Sequence, residues 1–401
     1  MRELGRVVAN EWMKLLRRRF IVVLLMGACV VGFLSLIIWN NAKNMKDNSP
    51  EVQLQNTQTF LADIKAHPQN PNYQQEVTQL TQEVASLKDQ VAVNQALNVG
   101  DWKPIVQREL AQRQAANAEQ IAQASANHLT PNVDMTTQMW LKYSVDHNVR
   151  PGRVDQLNPY AAVQELSPTT FRLFIPLLVV ILVADMISGE ATDGTIKLLL
   201  IRPVSRTKIL MGKWLVSIFA GTLITLFVSV FLWLTSSLIA GFHGASQPVI
   251  VGVTYSVVPA STVYLGAVGT AVIAHFDHAR VISYATFTLL GTLMNMVSMI
   301  AVASVAFLCS TWLKSAMAST AVSLGIVIFG FIFTQMQFSR SWIVWFFPVQ
   351  LNFFDTWTGK IGKMTHSGAG LGLGFVVLAV WSIVALIAAG WRFRRQDVLN
   401  A

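Results

Sequence analysis

Charge is what this chain has least of. Only 13% of its 401 residues are Asp, Glu, Lys or Arg, about half the share of a soluble domain. Hydrophobic residues make up 53%, and mean hydropathy is +0.47. A soluble fold is thereby excluded and an integral membrane protein expected. Cysteine is nearly absent: Cys29 and Cys309 both sit in apolar runs and read as small buried hydrophobes, neither a disulfide nor a metal pair. No G-x-x-x-x-G-K-[ST] occurs, so no P-loop of this chain cradles ATP; Gly212-Lys213 and Gly362-Lys363 lack the leading glycine and the following hydroxyl. H-E-x-x-H, C-x-x-C and a recognisable nucleophile turn are missing too. No catalytic residue, cofactor site or metal site is expected; His275-Phe276-Asp277-His278 has ligand-like residues but too few partners. Ionisable residues deep in the apolar runs are scarce, with Asp185 the nearest. That argues against an ion-coupled carrier, which needs charge at mid-membrane, and for an energy source outside the chain.

What is present is a series of apolar runs with basic residues beside them. The +9 net charge therefore points to anionic lipid headgroups, not to nucleic acid. Residues 1–19 form a basic amphipathic segment, with Leu4, Val8, Trp12 and Leu15 on one face and Arg6, Asn10, Lys14 and Arg17 on another. Such a helix lies in the membrane plane, with Trp12 inward and Arg17, Arg18 and Arg19 at the interface; the alternative is a simple positive-inside anchor. The apolar run behind it is a full span without an A-x-A-like site, so it is not read as a cleavable signal.

About 20 apolar residues cross a bilayer as a helix. Six spans are expected, at 20–39, 169–188, 207–240, 281–312, 316–337 and 369–391. Both termini and Lys314 fall on the cytoplasmic side of a multi-pass cell-membrane protein, where Arg392, Arg394 and Arg395 hold the tail 392–401. The loop 338–368 lies outside, and its many Trp and Phe suit the interface, although Arg340, Lys360 and Lys363 run against the charge asymmetry. The segment 241–280 is expected to be extracytoplasmic or re-entrant, its apolar part 249–274 interrupted by Pro259. Gly368, Gly370, Gly372 and Gly374 suggest close helix packing rather than nucleotide binding. The expected fold is all-α: six spans, an N-terminal interfacial helix and one large helical insert.

That insert, 40–168, is rich in Gln, Asn, Ala and Thr. Val77, Leu80, Val84, Leu87 and Val91 step by three and four, a heptad seam. Pro104 opens a second helix carrying Val106, Leu110, Arg113, Asn117 and Ile121. Residues 51–66 give a third, with Leu54, Leu61 and Ile64 on one side. Residues 136–144 are expected to return along the membrane surface. Spacer, dimer contact and substrate handling remain open roles for this partly coiled-coil domain.

Between the second and third spans lies a polar reversal, 189–206. Ser188 is placed to cap a short helix, with Glu190 and Asp193 in its positive first turn. Ile196, Leu199 and Leu200 share one face, Pro203 ends the helix and Ser205 caps the next. Glu190, Gly194-Thr195, Leu198-Leu199, Arg202-Pro203-Val204-Ser205-Arg206 and Lys213 together resemble the permease subunits of ABC-2-type ABC transporters. The resemblance implies that this loop is the coupling helix, meeting a separate ATPase subunit through Glu190, Gly194, Thr195, Ile196, Leu199, Leu200, Pro203 and Arg206. It also implies that ATP and magnesium are held by that ATPase dimer, that the chain is no enzyme by itself, and that a second permease copy, identical or related, faces it. An amphipathic or hydrophobic export substrate (peptide, lipid or drug) fits apolar walls. The alternatives are a sodium-export relative and a non-transporting sensor or anchor displaying the helical insert.

Overall fold

The computed structural model describes residues 2–66, 73–153, 155–195, 205–336 and 340–395. Among the described residues, six helices are long and apolar enough to cross a membrane: Ile21–Asp47, Pro159–Thr192, Arg206–Ala240, Tyr284–Trp312, Ala316–Gln335 and Leu371–Arg394. They occupy the six expected places and pack around one core that includes Val31, Ile175, Val179, Ala220, Val228, Phe307 and Ala389. Their outer faces remain apolar and exposed, as at Leu25, Phe33, Phe329 and Ile387, the pattern of helices whose surroundings are as apolar as their core.

The chain opens with α1 (Arg2–Leu15), which passes through a π turn, Leu16–Phe20, into α2 (Ile21–Asp47). Backbone angles at both junctions stay right-handed helical, so the expected separate elbow is a single helix with one widened turn. Its apolar face is the expected one, but it is spent inside the protein. Trp12 meets Phe20 and Phe219 edge-on, with ring centroids 5.3 and 4.9 Å apart. Cys29 lies on an exposed face of α2, and only Cys309 is buried.

The insert is helical: α3 (Pro50–Ala66), α4 (Tyr73–Val99), α5 (Trp102–Ala126) and α6 (Thr136–Asp146). The heptad seam is real, with Val84 and Leu87 buried at its centre. An Asn94 to Glu51 hydrogen bond of 2.9 Å joins the end of α4 to the start of α3, which makes the pair antiparallel. Pro71 and Pro68 lie outside the described residues. Trp102, Val106 and Leu141 form a second small core between α5 and α6. Residues 136–144 thus pack on α5 and touch the first strand.

The second span starts ten residues before the expected position. It comprises α7 (Pro159–Thr169), a π turn (Thr170–Phe174), α8 (Ile175–Val183) and, after a turn, α9 (Ser188–Thr192). Pro159 at the first helical position and Asn158, which accepts from the backbone N–H of Tyr160 and Ala161, fix its start. Pro176 lacks a donor and crowds the carbonyl one turn earlier, and the helix widens just before it. The third span is α10 (Arg206–Ala240).

The clearest correction falls on 241–280, which is β structure, so the chain is not all-α. Strands β1 (Pro248–Val251) and β4 (Arg280–Ser283) pair antiparallel, Pro248 opposite Ser283. Between them β2 (Thr254–Pro259) pairs antiparallel with β3 (Thr270–His275), Thr254 opposite His275. The run that looked merely apolar is β-branched: Val249, Ile250, Val251, Val257, Val258, Val272 and Ile273 suit a pleated surface. Gly252, at φ +79°, takes the left-handed turn between β1 and β2 and gives its N–H to the Trp357 carbonyl at 2.7 Å.

The fourth span is therefore α11 (Tyr284–Trp312), begun three residues later than expected and capped by Ser283. The fifth is α12 (Ala316–Gln335), capped by Ser315. Residues 340–370 fold into two 3-10 turns, α13 (Phe353–Trp357) and α14 (Lys360–Thr365). Of the aromatics expected at an interface there, Phe347, Phe353 and Phe354 are buried in the core, while Trp342 and Trp345 are exposed. The sixth span, α15 (Leu371–Arg394), packs Gly374 against Gln350 and against Phe353 and Thr356 of the short helix α13. Gly370 and Gly372 have nothing close to them in the chain, so of these glycines Gly374 is the one that makes a close helix contact.

Candidate functional site

The described part of the polar reversal lies at one end of the bundle, together with α1, the 313–315 turn and the end of α15. Thr192 accepts from the Ala316 N–H at 3.0 Å, and the Arg206 guanidinium donates to the Arg394 carbonyl at 3.2 Å. The insert, both strand pairs and residues 340–370 occupy the opposite end.

α1 seats on α10 at Gly212, where a Cβ would come within 2.6 Å of Val7. Only glycine permits that approach, and it brings the next residue, Lys213, under α1. The Lys213 side chain is only 2% exposed. Its ammonium donates to Glu11 Oε2 at 2.6 Å, to Glu190 Oε1 at 3.0 Å and to the Met186 carbonyl at 3.3 Å. Lys14 reaches the same two carboxylates, Glu11 at 2.8 Å and Glu190 at 3.2 Å. Arg19, beside them, pairs with Asp185. Farther along α1, Glu3 pairs with Lys208 at 2.7 Å. Glu11, Lys14, Arg19, Asp185, Glu190 and Lys213 line a cleft of about 110 Å³ that also includes Gly189 and Asp193.

The electrostatics favour the charged forms. Burial pushes the Glu11 carboxyl up, but Lys213 and Lys14 outweigh it and hold the group below the ordinary carboxylate value. Burial likewise pushes the Lys14 ammonium down, and Glu11 and Glu190 more than reverse that. An ammonium shared by two carboxylates and a carbonyl satisfies all three of its donors, which is the condition under which a buried charge is tolerated. Such a cluster fastens three elements, α1, α9 and α10. Among the described residues, no group of three or more His, Cys, Asp or Glu is placed to hold a metal.

Several expectations are sharpened or displaced. Glu190 turns inward onto Lys213 and Lys14, a pairing not anticipated from its place in the loop. Ser188 does not cap: its hydroxyl bonds the Ala184 carbonyl at 3.2 Å, and Ser310 of α11 accepts the Ile187 and Ser188 N–H groups. Ser205 stands at the cap position of α10 without a side-chain bond. Gly194 takes a left-handed φ of +68°, and Thr195 donates to the Glu190 carbonyl at 3.3 Å. Ile196, Leu199, Leu200 and Pro203 lie outside the described residues, as do Leu198 and Arg202. Arg17 is exposed, Arg19 is held by Asp185, and the Arg18 side chain is not described.

Sequence reasoning missed Glu11, although it left a signal. Glu11 falls on the face shared by Leu4, Val8 and Leu15, where a carboxylate needs a buried partner. A second buried pair was missed outright. Arg172 in the π turn of the second span meets Asp355 of α13 at 2.9 Å, the side chains 5% and 6% exposed. Lys360 adds a looser contact to Asp355 at 3.5 Å. Ionisable groups inside the bundle are thus not confined to Asp185.

A family model described as "Protein of unknown function (DUF2705)" matches residues 150–399, more than half of the chain. The chain is also 24% identical over 263 residues to a protein of Bacillus subtilis (strain 168) described as "Uncharacterized protein YhcI", a match covering 64% of this chain and 74% of that protein.

Proposed function

The chain belongs to this family of unknown function, and we propose that it is the membrane-spanning permease subunit of an ATP-driven ABC-2-type exporter whose ATPase is a separate chain. The observation that carries the reading is the Lys213 cluster. It ties an N-terminal amphipathic helix and the reversal between spans two and three into one unit at a single end of a six-helix bundle. A loop that receives force from a partner must be stiffly joined to the spans it moves, and a buried, fully partnered ammonium supplies that joint. The sequence resemblance of 190–213 supports the same reading, as does the scarcity of charge at mid-span. In this reading the Lys213 end is cytoplasmic, the insert is extracytoplasmic, and the segment carrying Ile196, Leu199, Leu200 and Pro203 docks on the ATPase. A second permease copy completes the pathway, and ATP and magnesium belong to the partner.

The test is purification of the full chain from membranes, followed by identification of what accompanies it. A stoichiometric P-loop ATPase whose hydrolysis rises on reconstitution with the chain is the expected result. Glu190→Gln should then uncouple that stimulation while the complex still forms. Purification at full yield with no ATPase, from cells that express the neighbouring coding sequences, overturns the proposal and favours the sensor or anchor.

A further inference from the structure

At the insert end of the bundle α6, α7, β1, β2 and the first turn of α11 surround a cavity of about 460 Å³, a volume within the range of small-molecule sites. Its wall is assembled from distant stretches of chain. Thr136 and Trp140 stand one turn apart on α6, and Ala161 and Gln164 nearly one turn apart on α7. Tyr255 comes from β2, and Tyr284 opens α11. Among the described residues, no Lys or Arg lines it.

Four side chains of the wall carry polar atoms with no hydrogen bond among the described residues: the Trp140 indole N–H, the Tyr255 and Tyr284 hydroxyls and the Gln164 amide. None is sealed off: each side chain is half-buried, and its polar atoms keep access to solvent. Asn158 and Gln247, also in the wall, bond each other at 2.6 Å. The rings are held in place. A Cβ at Gly359 would come within 3.2 Å of Tyr255 Cε2, and one at Gly362 within 3.4 Å of its Cδ2. Tyr284 meets Phe287 edge-on with centroids 6.5 Å apart. The helix carrying Trp140 is anchored by Leu141 on Trp102 and Val106.

The charges beside this aromatic wall are negative. The Asp134 carboxylate accepts from the Thr136 N–H at 2.9 Å and from the Thr136 hydroxyl, which holds it beside the cavity. Burial first and Asp134 second raise the Tyr255 phenol above its ordinary value. Glu165 adjoins Gln164 on α7 and is the charged group that acts on Tyr284. Both carboxylates are exposed, and neither pairs with a cation among the described residues. A chain of net charge +9 thus leaves two acids unpaired beside three rings. An ammonium is drawn both to aromatic rings and to carboxylates, whereas an anion is repelled by this field. A neutral sugar gains nothing from its sign.

We propose that this cavity is a binding site for an organic ammonium ion with an apolar body. The ammonium lies against the rings of Trp140, Tyr255 and Tyr284, Asp134 and Glu165 attract it from beside them, and the apolar body meets the β1 side of the wall. The site is remote from the Lys213 cluster and does not rest on the export reading. It serves an exporter or a sensor alike.

The test uses the full chain in nanodiscs of phosphatidylglycerol, a lipid without an ammonium group, with binding measured by isothermal titration against empty nanodiscs. The probes are choline and its neutral isostere 3,3-dimethylbutan-1-ol, in which carbon replaces the ammonium nitrogen. Choline should bind about tenfold more tightly than the alcohol. Asp134→Asn combined with Glu165→Gln should weaken choline about threefold and leave the alcohol unchanged. Both positions are exposed, so these changes spare the fold. Trp140→Leu should remove most of the preference for choline, with Tyr255→Leu as the second variant if the first folds poorly. Repeating the titration in phosphatidylethanolamine nanodiscs separates two sources of the same chemistry. Unchanged choline binding there assigns the site to a free cation, and its loss assigns it to an ammonium headgroup of the bilayer. Equal binding of choline and the alcohol, or no choline binding in phosphatidylglycerol nanodiscs, overturns the proposal. So does a double carboxamide variant that binds choline as the unaltered chain does.

Discussion

Two buried ionic contacts stand at opposite ends of the bundle, and they are built differently. At one end Lys213 is shared between Glu11 and Glu190, Lys14 covers both carboxylates, and a small cleft opens beside them. At the other end Arg172 meets one carboxylate, Asp355, to which Lys360 adds a looser contact at 3.5 Å; among the described residues Arg172 Nε and Nη2 and Asp355 Oδ2 have no hydrogen bond, and in the first cluster Glu190 Oε2 has none. The first is redundant: it can lose one bond and keep each charge partnered. The second is not. Redundancy keeps α1, α9 and α10 joined when any one bond of the cluster is lost. A buried guanidinium with one carboxylate suits a fixed pin, here between the second span and the 340–370 segment.

The largest effect is therefore expected at the pin. Asp355→Ala leaves a guanidinium buried without its charge partner, a change that costs about 3–5 kcal/mol in comparable pairs. The thermal unfolding midpoint in detergent should drop sharply, and Asp355→Leu combined with Arg172→Met should recover most of the loss. A double variant as unstable as the single one would mean that the pair is not what holds the two elements together.

The next effect is expected at the joint and should be smaller. Lys213→Met removes one ammonium, but Glu11 and Glu190 keep Lys14, and the cleft admits water. A loss of about 2–3 kcal/mol is expected, below the Asp355→Ala value. If the order is reversed, with Lys213→Met the more damaging, the contrast between redundant joint and lone pin is wrong.

The joint also carries a pH dependence. The Glu11 carboxyl is held below its ordinary value, so its stabilising contribution is present above that value and is lost as pH falls through the depressed one. The Lys14 ammonium is raised, so its contribution is present below the ordinary lysine range and lost only as pH rises beyond it. Lys14 is half exposed, and solvent screening makes its share the minor one. Docking of α1 on α10 should then be flat across neutral pH and fail on the acid side, below the usual carboxylate range. Spin labels at Ala9 and Thr207 report the separation of the two helices, and Glu11→Gln should flatten the acid limb.

The six spans, the heptad seam and the amphipathic face of α1 were legible because each is a local periodicity of the sequence. The strands were not, because Val249–Val251 and Val272–Ile273 look as apolar as a membrane segment. Only their pairing with a distant strand distinguishes them, Val249 with Ile282 and Val272 with Val257. The reversal 189–206 was legible as a place, yet the partners of Glu190 were not. Lys14 is 176 residues away and Lys213 lies inside a span. Arg172 and Asp355 stood alone in apolar and aromatic stretches 183 residues apart. A buried charge advertises that it has a partner, but nothing local says which.

The smallest predicted effect tests how far cap residues can be trusted at the two ends. Asn158 and Ser205 both precede a span and both belong to the preferred cap types. Asn158 accepts from two backbone N–H groups of α7 and donates to Gln247 at 2.6 Å, so it ties the second span to the strand region as well. Ser205 occupies the cap position with extended backbone, φ −61° and ψ 138°, but its hydroxyl makes no capping bond. Asn158→Ala should therefore lower stability by about 1–2 kcal/mol, the usual cost of losing a working cap plus a side-chain bond. Ser205→Ala should change stability by no more than about 0.5 kcal/mol, as at an ordinary surface position. Both are measured as shifts of the same unfolding midpoint in detergent. If Ser205→Ala instead matched Asn158→Ala, the hydroxyl would have to be bonded in the folded chain. The start of α10 would then be held as firmly as the start of α7.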